Sequence, residues 1–136
     1  GNNKPYYMGC YGIGLGRIIA CLIENNIIKD NNKIKGFSLP IDIAPYKIQI
    51  VYSEENKKIS EKLYSDLISK GIKVIIDDRD KYSLGEKIKD CYVLGTPYIA
   101  ILGKKFDGEN IEVEETKSGK KMNVNINEIS KLFKHK

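Results

Sequence analysis

A chain of 136 residues has room for one ordinary globular domain with an apolar core and a short appendage, but not for two full domains. With 41% hydrophobic and 30% charged residues it has the make-up of a folded protein rather than a disordered one, and no apolar run approaches a membrane span, so no membrane partner is expected. The net charge of +5 favours an anionic partner. Nearly all of that charge is lysine, which also makes a plain solvated surface, so the two arginines, Arg17 and Arg79, carry more information.

The start, Gly1-Asn2-Asn3-Lys4, has no initiator Met and reads as a cut inside a longer protein. Tyr6 to Gly14 is apolar with glycines and predicts a short strand. It runs into Leu15 to Glu24, where apolar residues recur at helical spacing. Asn25 to Pro45, rich in Asn, Lys, Asp and Gly, shows no clear period and suits a linker, centred on residues 31–44. Ile48, Ile50 and Val51 mark a buried strand, and Ser53 offers an N-cap for a helix over 54–70 with Ile59, Leu63, Leu67 and Ile68 on one face. Gly71 stands where a helix-terminating glycine belongs.

Ile72 to Ile76 predicts a second strand, and Asp77-Asp78-Arg79-Asp80-Lys81 a loop at its carboxyl end. Leu84, Ile88 and Val93 or Leu94 mark another helix, stopped by Gly95 and Pro97; Tyr98 to Leu102 is a third strand. Ile111–Thr116 and Met122–Ile126 flank a polar turn as a hairpin would, and a helix from Asn127 to about Phe133 closes the chain. This order predicts an α/β fold: a mixed sheet of about five strands, with a parallel core and an antiparallel hairpin, flanked by helices.

The glycines of Tyr11-Gly12-Ile13-Gly14-Leu15-Gly16-Arg17 do not make a dinucleotide loop, because G-x-G-x-x-G from Gly12 needs glycine where Arg17 stands. They serve either as a tight strand-to-helix turn or as clearance for a flat ligand, with Arg17 reaching its phosphates or base. Met8-Gly9-Cys10-Tyr11-Gly12-Ile13-Gly14 with Arg17 resembles the third signature motif of class II aminoacyl-tRNA synthetases in its bacterial-type prolyl form. Gly16 departs from the serine usual there. The resemblance continues through Ile43 to Val51, Asp77-Asp78-Arg79, Gly85-Glu86-Lys87, Asp90, Leu94-Gly95-Thr96-Pro97 and Leu102-Gly103-Lys104-Lys105, which covers essentially the whole chain. One extra residue between Arg79 and Gly85, Leu84 in place of a proline, and Ile88-Lys89-Asp90 in place of a more aromatic segment put the shape of the 79–88 loop in question.

The resemblance implies a remnant of the catalytic domain at residues 1–30, a linker at 31–44 and an anticodon-binding domain at 45–136. It implies that Gly12, Gly14 and Arg17 belong to an ATP site. The longer enzyme would join proline to its tRNA through a prolyl-adenylate, using ATP and Mg²⁺, as a homodimer formed through the missing catalytic part. It would work in the cytoplasm of a bacterium or in a eukaryotic organelle. The chain by itself, without the first two signature motifs, is expected to be an inactive monomer. A non-catalytic accessory module with the same fold is the rival reading, and Arg17 with its glycines speaks against it. A flavodoxin-like nucleotide binder lacks a phosphate-cradling loop, because Ser53-Glu54-Glu55 is acidic.

Proline tRNAs carry two adjacent guanines in the anticodon. An unstacked guanine offers acceptors at O6 and N7 and donors at N1 and N2, so a reader needs cations and carboxylates in one patch. Asp77, Asp78, Arg79, Lys87 and Asp90 supply that mixture beyond the carboxyl ends of strands, with Lys104 at the same edge. Without the resemblance, Asp78-Arg79 also reads as a loop salt bridge or a capping pair. Tyr82 and Tyr98 fit a base-stacking role or a place at the core's rim. His135 reads as solvated, and neither thiol catalysis nor a zinc or disulfide framework is indicated by Cys10, Cys21 and Cys91.

Overall fold

The computed structural model describes residues 1–133; the expectation for His135 lies outside them. Helix α1 (Leu15–Asn25) is followed by strands β1 (Ile27–Asp30) and β2 (Lys33–Phe37). Then come β3 (Ile48–Tyr52), a 3₁₀ turn over Glu54–Asn56, helix α2 (Lys57–Ser69), β4 (Val74–Asp77), helix α3 (Leu84–Leu94) and β5 (Tyr98–Leu102). A hairpin of β6 (Asn110–Glu115) and β7 (Lys120–Asn125) precedes a closing 3₁₀ segment, Ile129–Phe133.

Five strands form one mixed sheet in the order β4-β3-β5-β6-β7. β3 pairs parallel with both β4 and β5, and β6 and β7 add antiparallel. Every residue of β3 is buried, as a central parallel strand requires when both faces are covered. Alternation splits the core: Ile48, Ile50 and Tyr52 face α2's Leu63 and Leu67, while Val51 faces α3's Cys91 and Tyr92.

Local chemistry sets the helix ends. After α2, Gly71 takes φ +74, its N–H donates to the Ile68 carbonyl at 2.8 Å and that of Ile72 to Leu67 at 3.1 Å, the paired bonds of a Schellman stop. At α3, the Ser83 hydroxyl accepts from the Glu86 amide while the Glu86 carboxylate accepts from the Ser83 amide, a complete capping box. Ser53 does not cap α2: its hydroxyl donates to the Leu102 carbonyl instead, and the 3₁₀ turn intervenes. The buried stripe of α2 is Ser60, Leu63 and Leu67, with Ile59 and Ile68 exposed at its borders. On α3, Val93 and Leu94 are exposed and Lys87, Cys91 and Tyr92 face the sheet.

One expectation near the start fails, and another segment carries more structure than its composition suggests. Tyr6 to Gly14 forms no strand and is exposed throughout, because a strand must place its amides and carbonyls on a neighbour and none lies beside it among the described residues. The expected linker contains an antiparallel hairpin, β1 with β2. Asn31 and Asn32, at φ +46 and +64, supply the left-handed pair that a tight two-residue turn needs. This hairpin lies on α3. A Cβ on Gly36 would stand 2.3 Å from the Tyr92 carbonyl oxygen, and one on Gly95, at φ +70, 2.1 Å from the Phe37 ring. The Leu39 amide donates to the Gly95 carbonyl at 2.9 Å, and Ser38 is held by the Asn26 carbonyl and the Thr116 hydroxyl.

Gly95→Ala should therefore lower stability by about 2 kcal/mol or more, from the left-handed backbone plus displacement of Phe37. Gly85→Ala, whose Cβ meets nothing within 4 Å, should be neutral or stabilising by up to about 1 kcal/mol. Urea unfolding of the two variants checks this; equal stabilities would show that the hairpin does not rest on α3.

Candidate nucleic-acid interface

The register sets Tyr52, Asp77 and Leu102 at adjoining carboxyl ends of β3, β4 and β5. Ligands of open α/β sheets gather at this edge because the crossing helices leave a crevice there. Asp77, buried as the last residue of β4, accepts from Arg79 three times: from Nε at 2.9 Å, from Nη2 at 2.6 Å and from the backbone amide at 3.2 Å. Nη2 also donates to Asp90 on α3 at 2.6 Å. The side-chain bonds from Arg79 hold the Asp77 carboxyl below its ordinary range, against the opposing effect of burial. The same carboxylates push the Arg79 guanidinium further up, so it stays cationic. The guanidinium lies over the Tyr82 ring, Cζ 4.4 Å from the ring centroid.

Lys87 sits one layer below, only 3% exposed. Its Nζ donates to the Asp77 carbonyl at 3.1 Å and lies 4.6 Å over the Tyr52 ring. An ammonium has three N–H donors, so this bond leaves others available to an incoming group. Tyr52 is 2% exposed and its hydroxyl has no hydrogen-bond partner. Burial pushes its phenol up, keeping it protonated.

Two clefts flank the 77–83 loop. One, of about 380 Å³, is lined by Gln49, Asp77, Asp78, Arg79 and Asp90 beside the exposed Val93 and Leu94. The other, of about 560 Å³, is lined by Tyr52, Ser53, Glu54, Glu55, Tyr82, Lys87 and Lys104. All six residues expected at this edge are therefore found there, the carboxylates with Arg79 on one side and the two lysines on the other. Tyr52 was missed by sequence reasoning; its one signal was an aromatic hydroxyl ending a mostly apolar strand.

Gly12, Gly14 and Arg17 line a separate, shallow cleft of about 480 Å³ on α1 and are exposed. Cys21 is there too, and both it and Cys10 are exposed. Cys91 is buried, which pushes its thiol up to about 12 and leaves it unreactive. Among the described residues no group of three or more His, Cys, Asp or Glu side chains could hold a metal ion.

A family model described as "Anticodon binding domain" matches residues 41–136. The chain is 39% identical over 140 residues to proline–tRNA ligase of Aquifex aeolicus (strain VF5), an alignment covering 100% of this chain and 24% of that one. It is 38% identical over 137 residues to the same-named protein of Persephonella marina, covering 98% and 23%. Among solved structures, prolyl-tRNA synthetase from Cryptosporidium parvum complexed with L-proline and AMP superposes with a TM-score of 0.66 at 28% identity, over 73% of this chain and 23% of that one. The chain thus spans about a quarter of the length of the curated relatives it matches.

Asp77→Asn replaces an acceptor oxygen by an N–H facing Arg79 Nη2, and should cost about 1–2 kcal/mol at neutral pH, given that Arg79 is partly solvated. Because folding lowers the Asp77 carboxyl from its ordinary 3.8, its contribution is complete above that value and is lost as pH falls through the folded one. Urea unfolding across the acid range should show a shallower pH dependence in the variant. An unchanged dependence would mean the fork adds nothing to stability.

Proposed function

Because this chain belongs to the anticodon binding domain family, we propose that it reads the anticodon of proline tRNA as part of a longer proline–tRNA ligase. The observation that carries this reading is the convergence of a locked carboxylate–guanidinium cluster with Lys87 and Lys104 at one sheet edge. A guanine edge presents both donors and acceptors, and this edge answers both. Asp78, exposed beside Arg79, accepts from guanine N1 and N2. Lys87 and Lys104 donate to O6, N7 or a phosphate. Arg79, with Nε and Nη2 already engaged, holds the loop and offers its remaining edge.

The longer protein would activate proline with ATP and Mg²⁺ and transfer it to tRNA. Toward that site this chain offers the open wall of Gly12, Gly14 and Arg17, where a guanidinium on the first turn of α1 can meet a phosphate or a purine ring. The residues there do not fit Mg²⁺, since no carboxylate lines the cleft. We place the catalytic remnant at 1–30 and the anticodon reader at 45–136, and expect the chain by itself to be a monomer that activates nothing. A proline-dependent ATP/pyrophosphate exchange assay checks the last point, and measurable exchange would overturn it.

The main test is fluorescence anisotropy with a proline anticodon stem-loop and a copy whose two guanines are replaced by adenines. The guanine loop should bind at least about tenfold tighter. Asp78→Asn should remove most of that preference and leave the adenine loop unaffected, whereas a role in backbone attraction would change both alike. Equal binding of the two loops by the unaltered chain would refute base reading.

A further inference from the structure

We propose that Tyr82 is the stacking platform on which an unpaired anticodon base rests inside the crevice shared by Tyr52, Lys87 and Lys104. This rests on the anticodon-reading function above and adds a residue to it.

Tyr82 is half exposed, and a surface tyrosine is ordinarily a mobile one. This ring is not free to wander. The loop bearing it is pinned at one end by the buried Asp77 and at the other by the Ser83 capping box, and the Tyr82 amide donates to the Arg79 carbonyl at 3.4 Å. One face of the ring lies against the Arg79 guanidinium at 4.4 Å. That guanidinium cannot swing away, because Asp77 and Asp90 hold it through Nε and Nη2. Two carboxylates therefore orient a cation, and the cation orients an aromatic ring. A platform ordered before its ligand arrives loses little conformational freedom on binding.

The ring lines a crevice of about 560 Å³, within the usual small-ligand range of about 300–1,000 Å³. The polar groups around it have unmet capacity: the Tyr52 hydroxyl is buried without a partner, and Lys87 has donors to spare. A flat group carrying polar atoms on its edge satisfies both while its face covers the ring, and a nucleobase has that form. Tyr98, the other aromatic candidate, meets Phe133 edge-on at 5.7 Å and belongs to the core's rim.

Tyr82→Leu and Tyr82→Phe in the full chain, titrated against the guanine-bearing stem-loop, test this. Leucine should weaken binding by about tenfold and phenylalanine by less than about twofold, since every base stacks on a bare aromatic face. Stem-loops made abasic at one anticodon position at a time add a second readout. The loss caused by leucine should vanish for one abasic position and persist for the others. Unfolding midpoints of both variants should match that of the unaltered chain. Binding of the leucine variant as tight as the unaltered chain's, or a loss equal across all abasic loops, overturns the platform while leaving anticodon reading intact. Failure of the unaltered chain to bind any stem-loop overturns both.

Discussion

Asp77 is a carboxylate at the buried end of an edge strand, where an unpaired charge would be untenable. Its neutralisation by Arg79 is what the functional edge is built around. The guanidinium fork is planar and presents its donors at fixed angles, so satisfying Asp77 with Nε and Nη2 leaves Nη2 aimed at Asp90 on the next helix. The end of β4, the loop after it and the middle of α3 are thereby tied into one unit. A lysine at position 79 could neutralise the charge but could not hold three elements in register.

Below that unit the same economy of partners recurs with a different cation. Lys87 is buried, yet its hydrogen bond goes to the Asp77 carbonyl rather than to a carboxylate, and its ammonium lies over the Tyr52 ring. That bond uses one of its three N–H donors, and the crevice is where an acceptor can meet another. The parallel pairing of β3 with β5 brings Tyr52, at the end of one strand, and Lys104, just after the other, into the lining of this opening. Recognition chemistry thus follows from the sheet's topology as much as from the residues.

The hairpin β1-β2 has a different part. By seating Phe37 against Gly95 and the backbone of Gly36 against Tyr92, it packs on the C-terminal end of α3, the helix that carries Lys87 and Asp90. The residues before it have no such support. Helix α1 buries none of its residues, and Ile18, Ile19 and Leu15 are exposed. Only Leu22 and Ile23 are half-buried, so tertiary packing adds little to its local helical preference.

Much of this was legible in the chain itself. The strand–helix alternation from Tyr46 to Leu102, the stops at Gly71 and Gly95 and the terminal hairpin follow from periodicity and turn chemistry, which are local, whereas choosing Asp77, Asp78, Arg79, Lys87, Asp90 and Lys104 as a cluster at one edge drew on the family resemblance as well. The hairpin at 27–37 was not legible, because its strands are short and its polar, glycine-bearing composition matches a linker; only its contact with α3 holds it. The strand expected at Tyr6 to Gly14 failed for the converse reason, an extended pattern without a neighbour to bond. Likewise no sequence pattern could reveal that Lys87 is buried, that the Tyr52 hydroxyl is orphaned, or that Arg79 is locked against the Tyr82 ring. Charge and hydrogen-bond satisfaction depend on which groups meet across the fold, and residues far apart along the chain meet only once the sheet is assembled.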